Sequence, residues 1–261
     1  MAAATTGCNK ASVDLPSEVY AEDHVLPTGA HGAGRPIASA GRFLRYAPWT
    51  ASLTPDELMI AQKGMLQREF VRGSYVCHRH CRLEHWTGVV SGLVKISTIS
   101  RDGRATTLAG VRAGGWFGEG SMLKDEPGQY DIVAIQDTRL AMLNRAAFNW
   151  LHNHSWGFRH FLIRQLNERV AQLMSARESD RLLGPTQRLA QTLCSLFNPV
   201  LSPGCGSLIQ ISQEELSHLT GLSRATISKS LKDLELKRLI AGSRQLITVL
   251  DLPGLTLLAA R

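Results

Sequence analysis

Ile211–Glu235 reads ISQEELSHLTGLSRATISKSLKDLE. Ser212, followed three residues later by Glu215, is a capping-box signature, so a short helix is expected from there to Gly221. Gly221 supplies a sharp turn. A second helix is expected from Ser223, with Ile227, Leu231 and Leu234 facing inward and Arg224, Ala225, Ser228 and Lys229 facing out. Residues held outward on such a second helix are placed to enter a major groove of DNA. The spacing of Leu216, Leu219, Gly221, Ile227 and Leu231 sets the crossing of the two helices, so the pattern rests on many positions at once. LIAGSRQLITVL comes next, two β-rich runs joined by Gly242-Ser243-Arg244-Gln245, and it reads as a wing. The candidate DNA-contacting residues are therefore Ser212, Ser223, Arg224, Ala225, Thr226, Ser228, Lys229, Lys232 and Arg244. A plain αα-hairpin with a solvated face is the alternative, but the cap, the turn glycine, the basic face and the wing all agree against it.

Upstream, Phe158, Leu162, Leu166, Val170 and Leu173 recur every three or four residues. They predict one apolar stripe, flanked by Arg164, Gln165, Glu168 and Arg169, on a helix that either packs on its own domain or pairs with a second copy. The two-fold symmetry of DNA sites read by such motifs favours the pairing. Between Phe70 and Leu143 the runs SYVC, WTGVVSG, LVKISTIS, RATTLAGV, IVAIQ and TRLAML alternate with turn signals, Asp102-Gly103 among them, as in a small antiparallel barrel or roll. Asn144 is the expected helix cap where the pattern changes. The first 40 residues are rich in Ala, Gly, Thr and Pro without apolar periodicity, and read as a mobile tail. The expected fold class is α+β: tail 1–40, antiparallel jelly-roll-like β-roll sensor 41–150, dimerisation helix 151–180, winged helix-turn-helix 181–261.

A chain of 261 residues is long enough for two cores, since single cores stop growing near ~250 residues. The net charge of +7 suits a polyanionic partner, because cations placed on phosphates release condensed counterions. No apolar run approaches the ~20 residues of a membrane span, and the N-terminus has no basic-then-apolar leader, so the expected location is the cytoplasm with no membrane partner. Five cysteines at irregular spacings read as reduced thiols, with Cys8 alone and Cys194 on an apolar helix face.

The segment Gly115-Trp116-Phe117-Gly118-Glu119, the Arg188-Leu189-Ala190 helix and the helix-turn-helix stretch together resemble the Crp/Fnr family over roughly residues 43–255. The resemblance implies a cyclic-nucleotide-binding-like roll, a long dimerisation helix and a winged helix that reads a palindromic site in double-stranded DNA. It implies a homodimeric transcription regulator rather than an enzyme, with RNA polymerase as a further partner. By match, the base-reading positions fall on Arg224, Ala225, Ser228 and Lys229. Ala225 stands where many members carry a Glu, and Lys229 replaces the commoner Arg, so the family's usual half-site does not carry over.

In members that bind cyclic AMP, a Gly-Glu pair holds the ribose and a later Arg-Ser or Arg-Thr pair holds the phosphate. Gly118 and Glu119 match the first pair, whereas Tyr130 and Asp131 stand near the second, where a carboxylate repels a phosphate. Cyclic AMP is therefore disfavoured, and the effector is unknown. A second candidate sensor is Cys77, His78, His80 and Cys81, with His85 nearby, which could take a metal or respond to redox. Its C-x3-C spacing has no matching second pair, and strand alternation would divide the ligands between two faces. A metal-dependent enzyme at this cluster would also need a general base, and no H-E-x-x-H accompanies it. A DNA binder indifferent to sequence is a third reading, distinguished by a steep salt slope without site preference.

Overall fold

The computed structural model of the chain describes residues 35–37, 43–44, 47–100, 102–103, 105–242 and 245–260. Cys8 and Arg244 lie outside the described residues, as does most of the expected tail. Three residues of that tail, Arg35–Ile37 (β1), form a strand paired antiparallel with Met65–Phe70 (β2).

The roll consists of two antiparallel sheets. One runs β1, β2, Thr138–Asn144 (β9), His85–Ser91 (β4), Trp116–Phe117 (β7); the other runs Tyr75–Cys77 (β3), Asp131–Ala134 (β8), Leu93–Ile99 (β5), Ala105–Arg112 (β6). The hairpin of β5 and β6 pairs Leu93 with Arg112 and Ile99 with Ala105, and it reverses at Asp102-Gly103 as the sequence predicts. Helix α1 (Pro55–Lys63) precedes β2, and α2 (Glu119–Lys124) follows β7. Alternation on the β4 and β9 strands turns Trp86, Leu143 and Ala141 inward, where they meet Trp49, Trp116, Phe148 and Phe158. Trp86 and Trp116 lie 4.2 Å apart between ring centroids, and Trp49 stands edge-on to Trp116 at 5.3 Å. These aromatics are almost wholly buried, and each buries a large apolar area on a geometrically specific contact.

Asn144 caps the next helix as expected, its side chain accepting from the Ala147 amide at 2.9 Å. That helix, α3 (Arg145–His154), ends at Ser155, whose hydroxyl caps the 27-residue helix α4 (Trp156–Leu182). At ~1.5 Å per residue, α4 is about 40 Å long. Its apolar positions do not form the single stripe the spacing predicts. Phe158 and Leu162 are buried on the roll, and Gln165 (3 % exposed) continues that inward face in place of an apolar residue. Ile163, Val170, Leu173 and Met174 stand on open surface, Leu173 at 61 % exposure. The helix thus keeps apolar side chains, from Ile163 onward, that its packing on the roll does not use.

Pro185 starts α5 (Pro185–Leu196), then come β10 (Leu208–Gln210), α6 (Gln213–Thr220), α7 (Arg224–Leu236), β11 (Ile240–Gly242), β12 (Leu246–Val249) and α8 (Leu252–Ala259). The three strands form one sheet in the order β10, β12, β11. Leu189, Leu193, Leu216, Ile227, Leu234 and Leu255 share a core here, and Leu93 of the roll belongs to the same cluster. Arg112, 7 % exposed at the end of β6, crosses to this half. Its guanidinium lies 4.1 Å over the Phe197 ring and donates to the carbonyls of Leu208 (2.6 Å), Leu196 (3.4 Å) and Gly206 (3.4 Å).

Candidate nucleic-acid interface and sensor cavity

Helix α6 begins as the capping signature predicts, with the Ser212 hydroxyl accepting from the Glu215 amide at 3.1 Å. The return half of the box is not formed. The Glu215 carboxylate turns instead to Lys95 on β5, whose ammonium lies 2.7 and 2.9 Å from its two oxygens. Gly221 then takes φ +69°, a left-handed conformation that costs glycine little and closes α6 by donating its amide to Ser217 O. Ser223 caps α7, accepting from the Thr226 amide at 3.1 Å.

On α7, Ile227, Leu231 and Leu234 are buried, while Arg224, Ala225, Lys229 and Lys232 are exposed and Thr226 and Ser228 half-buried. The predicted reading face is thus brought together on one side of one helix. Among the described residues Lys229 and Lys232 have no acidic partner, whereas Arg224 forms an ion pair with Glu214 on α6. Sequence spacing does not reveal that pair, because it joins two helices across the turn. Strands β11 and β12 pair antiparallel beside α7 as the predicted wing, Ala241 opposite Thr248.

In the second candidate, the cysteine-histidine cluster, Cys77 and Cys81 stay neighbours, the Cys77 thiol 4.0 Å from Cys81 O, while His78 turns to other partners. Strand β3 ends at Cys77, so alternation no longer applies; residues 78–81 make a turn closed by the Cys81 amide on His78 O at 3.1 Å. His78 stacks on Tyr75 at 4.0 Å between centroids, and His80 sits exposed at φ +66°. Among the described residues no group of three or more His, Cys, Asp or Glu is placed to hold a metal. The metal reading is not favoured by this arrangement.

A cavity of about 880 Å³ opens beside α2. Gly118, Glu119 and Tyr130 line it from the roll, Arg169, Gln172 and Leu173 from α4, and His218–Gly221 from the helix-turn-helix. Gly118 takes φ +98° at the start of α2, which aims Glu119 inward to 4 % exposure. Asp131 is corrected: it is not part of this lining. It pairs with Ser97 of β5, and its largely buried carboxylate accepts the Arg79 amide at 2.9 Å and lies 3.9 Å from His78 Nδ1.

The decisive residue is one that the sequence presents only as a flank of the helical stripe. Arg169 Nε lies 2.8 Å from Glu119 Oε1, and the same guanidinium donates to Trp116 O. Gln165 donates to that carbonyl as well, at 3.3 Å. The available signal was the i, i+4 relation of Gln165 and Arg169 on the face of Leu162. Other cations on the lining are committed or peripheral: Arg188 pairs with Asp180, and Lys124 and Arg177 are exposed at its edges.

Comparison with known proteins adds two domain matches. Residues 67–155 match the model of a cyclic nucleotide-binding domain, and residues 187–258 match that of a Crp-like helix-turn-helix domain. The chain is 28 % identical over 197 residues to the Cyclic AMP receptor protein of Thermus thermophilus, covering 73 % of this chain and 87 % of that one. It is 27 % identical over 208 residues to the HTH-type transcriptional regulator Cmr of Mycobacterium tuberculosis, covering 79 % of this chain and 81 % of Cmr. In fold it is similar to FixK2 from Bradyrhizobium japonicum, with a TM-score of 0.62 at 17 % identity, over 75 % of this chain and 97 % of FixK2.

Proposed function

The chain belongs to the Crp/Fnr family of transcription regulators, and from that membership we propose that it reads a two-fold-symmetric DNA site as a homodimer, with no use of cyclic AMP as effector. It is a regulator, not an enzyme, as its relatives are. The observation that carries the proposal is the reading face of α7: exposed Arg224, Ala225, Lys229 and Lys232 over a buried Ile227–Leu231–Leu234 seam. Arg224 and Lys229 contact guanine or phosphate, and Ala225 offers a methyl surface suited to a thymine methyl. Ser212 and Ser223 cap the N-termini of α6 and α7, and backbone amides at a helix N-terminus suit a phosphate.

The second copy is supported by Ile163, Val170, Leu173 and Met174. These side chains remain exposed on a helix that has already finished packing on its own roll, and Ile163 and Val170 recur at a heptad spacing. Joining two chains along α4 sets two α7 helices on one face of DNA, where half-sites are ~34 Å apart. The chain then acts in the cytoplasm, where that DNA is.

Against cyclic AMP stands the place where its phosphate would be held: Tyr130 is on the lining there, and among the described lining residues Arg169 and Arg188 are paired with carboxylates while Lys124 and Arg177 stand exposed. Selection of bound sites from a random DNA library by the purified full chain, without nucleotide, tests the proposal. A recovered palindrome supports it. No enrichment, with or without cell extract, overturns it.

A further inference from the structure

Arg224, Lys229 and Lys232 all stand outward on α7, but they are not alike. Among the described residues the two lysines have no acidic partner, whereas Arg224 Nη2 meets Glu214 Oε1. Both members of that pair are exposed, and an exposed ion pair adds little to folding stability. Glu214 is nevertheless well placed to hold it. The first turn of α6 is fixed at two points: the Ser212 hydroxyl accepts from the Glu215 amide at 3.1 Å, and the Glu215 carboxylate binds Lys95 of the roll at 2.7 and 2.9 Å. Glu214, the residue before, is therefore carried on an anchored turn, across the Gly221 corner from the first residue of the reading helix.

We propose that Glu214 is a specificity-determining residue, which keeps Arg224 off phosphates and leaves it able to read a guanine. The inference rests on the reading of the chain as a DNA-binding regulator and deepens it. Its physical basis is the difference between the two kinds of acceptor that DNA offers. A phosphate is an anion, and docking it on Arg224 brings it beside the Glu214 carboxylate, so the two negative charges repel. The O6 and N7 atoms of guanine are neutral acceptors and meet no such penalty. The contact with Glu214 engages the guanidinium at Nη2 and leaves a two-pronged edge of N–H donors free, the fork that O6 and N7 accept together. Arg224 can thus hold a guanine without giving up Glu214, while a phosphate must displace the carboxylate or face it.

Discrimination of this kind works against the wrong partner more than for the right one. It also divides the labour on α7. Lys229 and Lys232 are unopposed point charges, free for the phosphates that position the helix, whereas Arg224 is opposed and reserved for a base edge. Without Glu214 all three cations would be equally open to any duplex.

The test measures affinity by fluorescence anisotropy for two duplexes, the site selected from the random library and a scrambled duplex of the same length and composition, over a series of salt concentrations. It compares the full chain with Glu214→Gln, Arg224→Ala and the double variant, and thermal unfolding checks that each is folded. Glu214→Gln is expected to bind the scrambled duplex about fivefold more tightly and to hold the selected site within about twofold. Its salt dependence on the scrambled duplex is expected to steepen by about 0.9 in log–log slope, the signature of one added phosphate contact. In the Arg224→Ala background the same substitution is expected to change scrambled binding by less than about twofold, since the group that Glu214 restrains is gone. A Glu214→Gln variant that tightens both duplexes by the same factor overturns the proposal, because Glu214 then acts only as a background charge. An unchanged salt slope overturns it too, as does an equal gain in the absence of Arg224. A wild type that selects no site overturns the regulator reading by itself; the salt slopes on scrambled DNA, with and without Arg224, still decide whether Glu214 keeps Arg224 from phosphates.

Discussion

The reading face of α7 and the sensor cavity both gather charged residues, but they differ in how those charges are satisfied. On α7, Lys229 and Lys232 stand in solvent without an acidic partner among the described residues, at the surface of a helix whose other side is fully packed. In the cavity, Glu119 and Arg169 satisfy each other, and Arg188 is held by Asp180. Open cations are what a polyanion can neutralise; closed pairs are what holds a fold in one arrangement. Residue type alone does not separate the two.

The largest effect that would sharpen this contrast is expected from Arg224→Ala combined with Lys229→Ala. Each lost base or phosphate contact costs ~1–3 kcal/mol, so affinity for the selected site should fall on the order of 10²–10³-fold, with the melting temperature unmoved. A double variant that melts lower would break the contrast, because it would mean that the open face was also structural. Closed charges should behave in the opposite way. Arg112→Ala removes a buried guanidinium from three carbonyls and a ring, and is expected to cost about 2–4 kcal/mol in denaturant unfolding, with little dependence on salt. A smaller effect is expected at the boundary between the classes, the exposed pair of Glu214 and Arg224. Glu214→Ala should leave stability within about 0.5 kcal/mol while tightening binding to unrelated DNA a few-fold, since it removes a negative charge beside the reading face. Titration of that binding against salt checks it.

Thiol chemistry gives the mildest test. Burial pushes the Cys205 thiol up to about 11, against a pull from nearby Arg112, and burial and the neighbouring Cys81 raise Cys77. Alkylation at neutral pH, followed by peptide mass mapping, should therefore label exposed Cys81 before Cys77, and Cys205 last. Rapid labelling of Cys205 in the folded chain would show that the joint around Arg112 opens.

What was legible in the sequence was local. Ser212, Gly221, Ser223 and Asn144 act on backbone groups within four residues, so their types and spacing are sufficient to place helix ends. The β5–β6 hairpin was legible for the same reason, at Asp102-Gly103. What was not legible depended on partners far along the chain. The Glu215 side chain left its capping box for Lys95, 120 residues away, because a half-buried carboxylate gains more from an ammonium than from its own cap amide. Asp131 looked like part of the cavity wall, but its carboxylate is held by the Arg79 amide beside the lining instead of in it. The Cys77–Cys81 segment looked dense with ligands because sequence proximity does not show that a turn points successive side chains apart. Gln165 and Arg169 were read as the polar border of a stripe, and only the packing of α4 on the roll shows them to be its continuation.

Leu93 remains, a residue of the roll that is counted in the core of the DNA-reading half, beside Arg112 and the Lys95–Glu215 pair. Sensor and reader are therefore not cartridges to be exchanged at the linker. A chimera that grafts another relative's reader after residue 184 would inherit a roll surface cut to fit Leu196, Phe197 and Glu215, and a reader expressed alone would expose the wall that Leu93 now covers. The seam between the two halves runs through a shared interior, so they are expected to melt in one transition and to have changed together whenever either one changed.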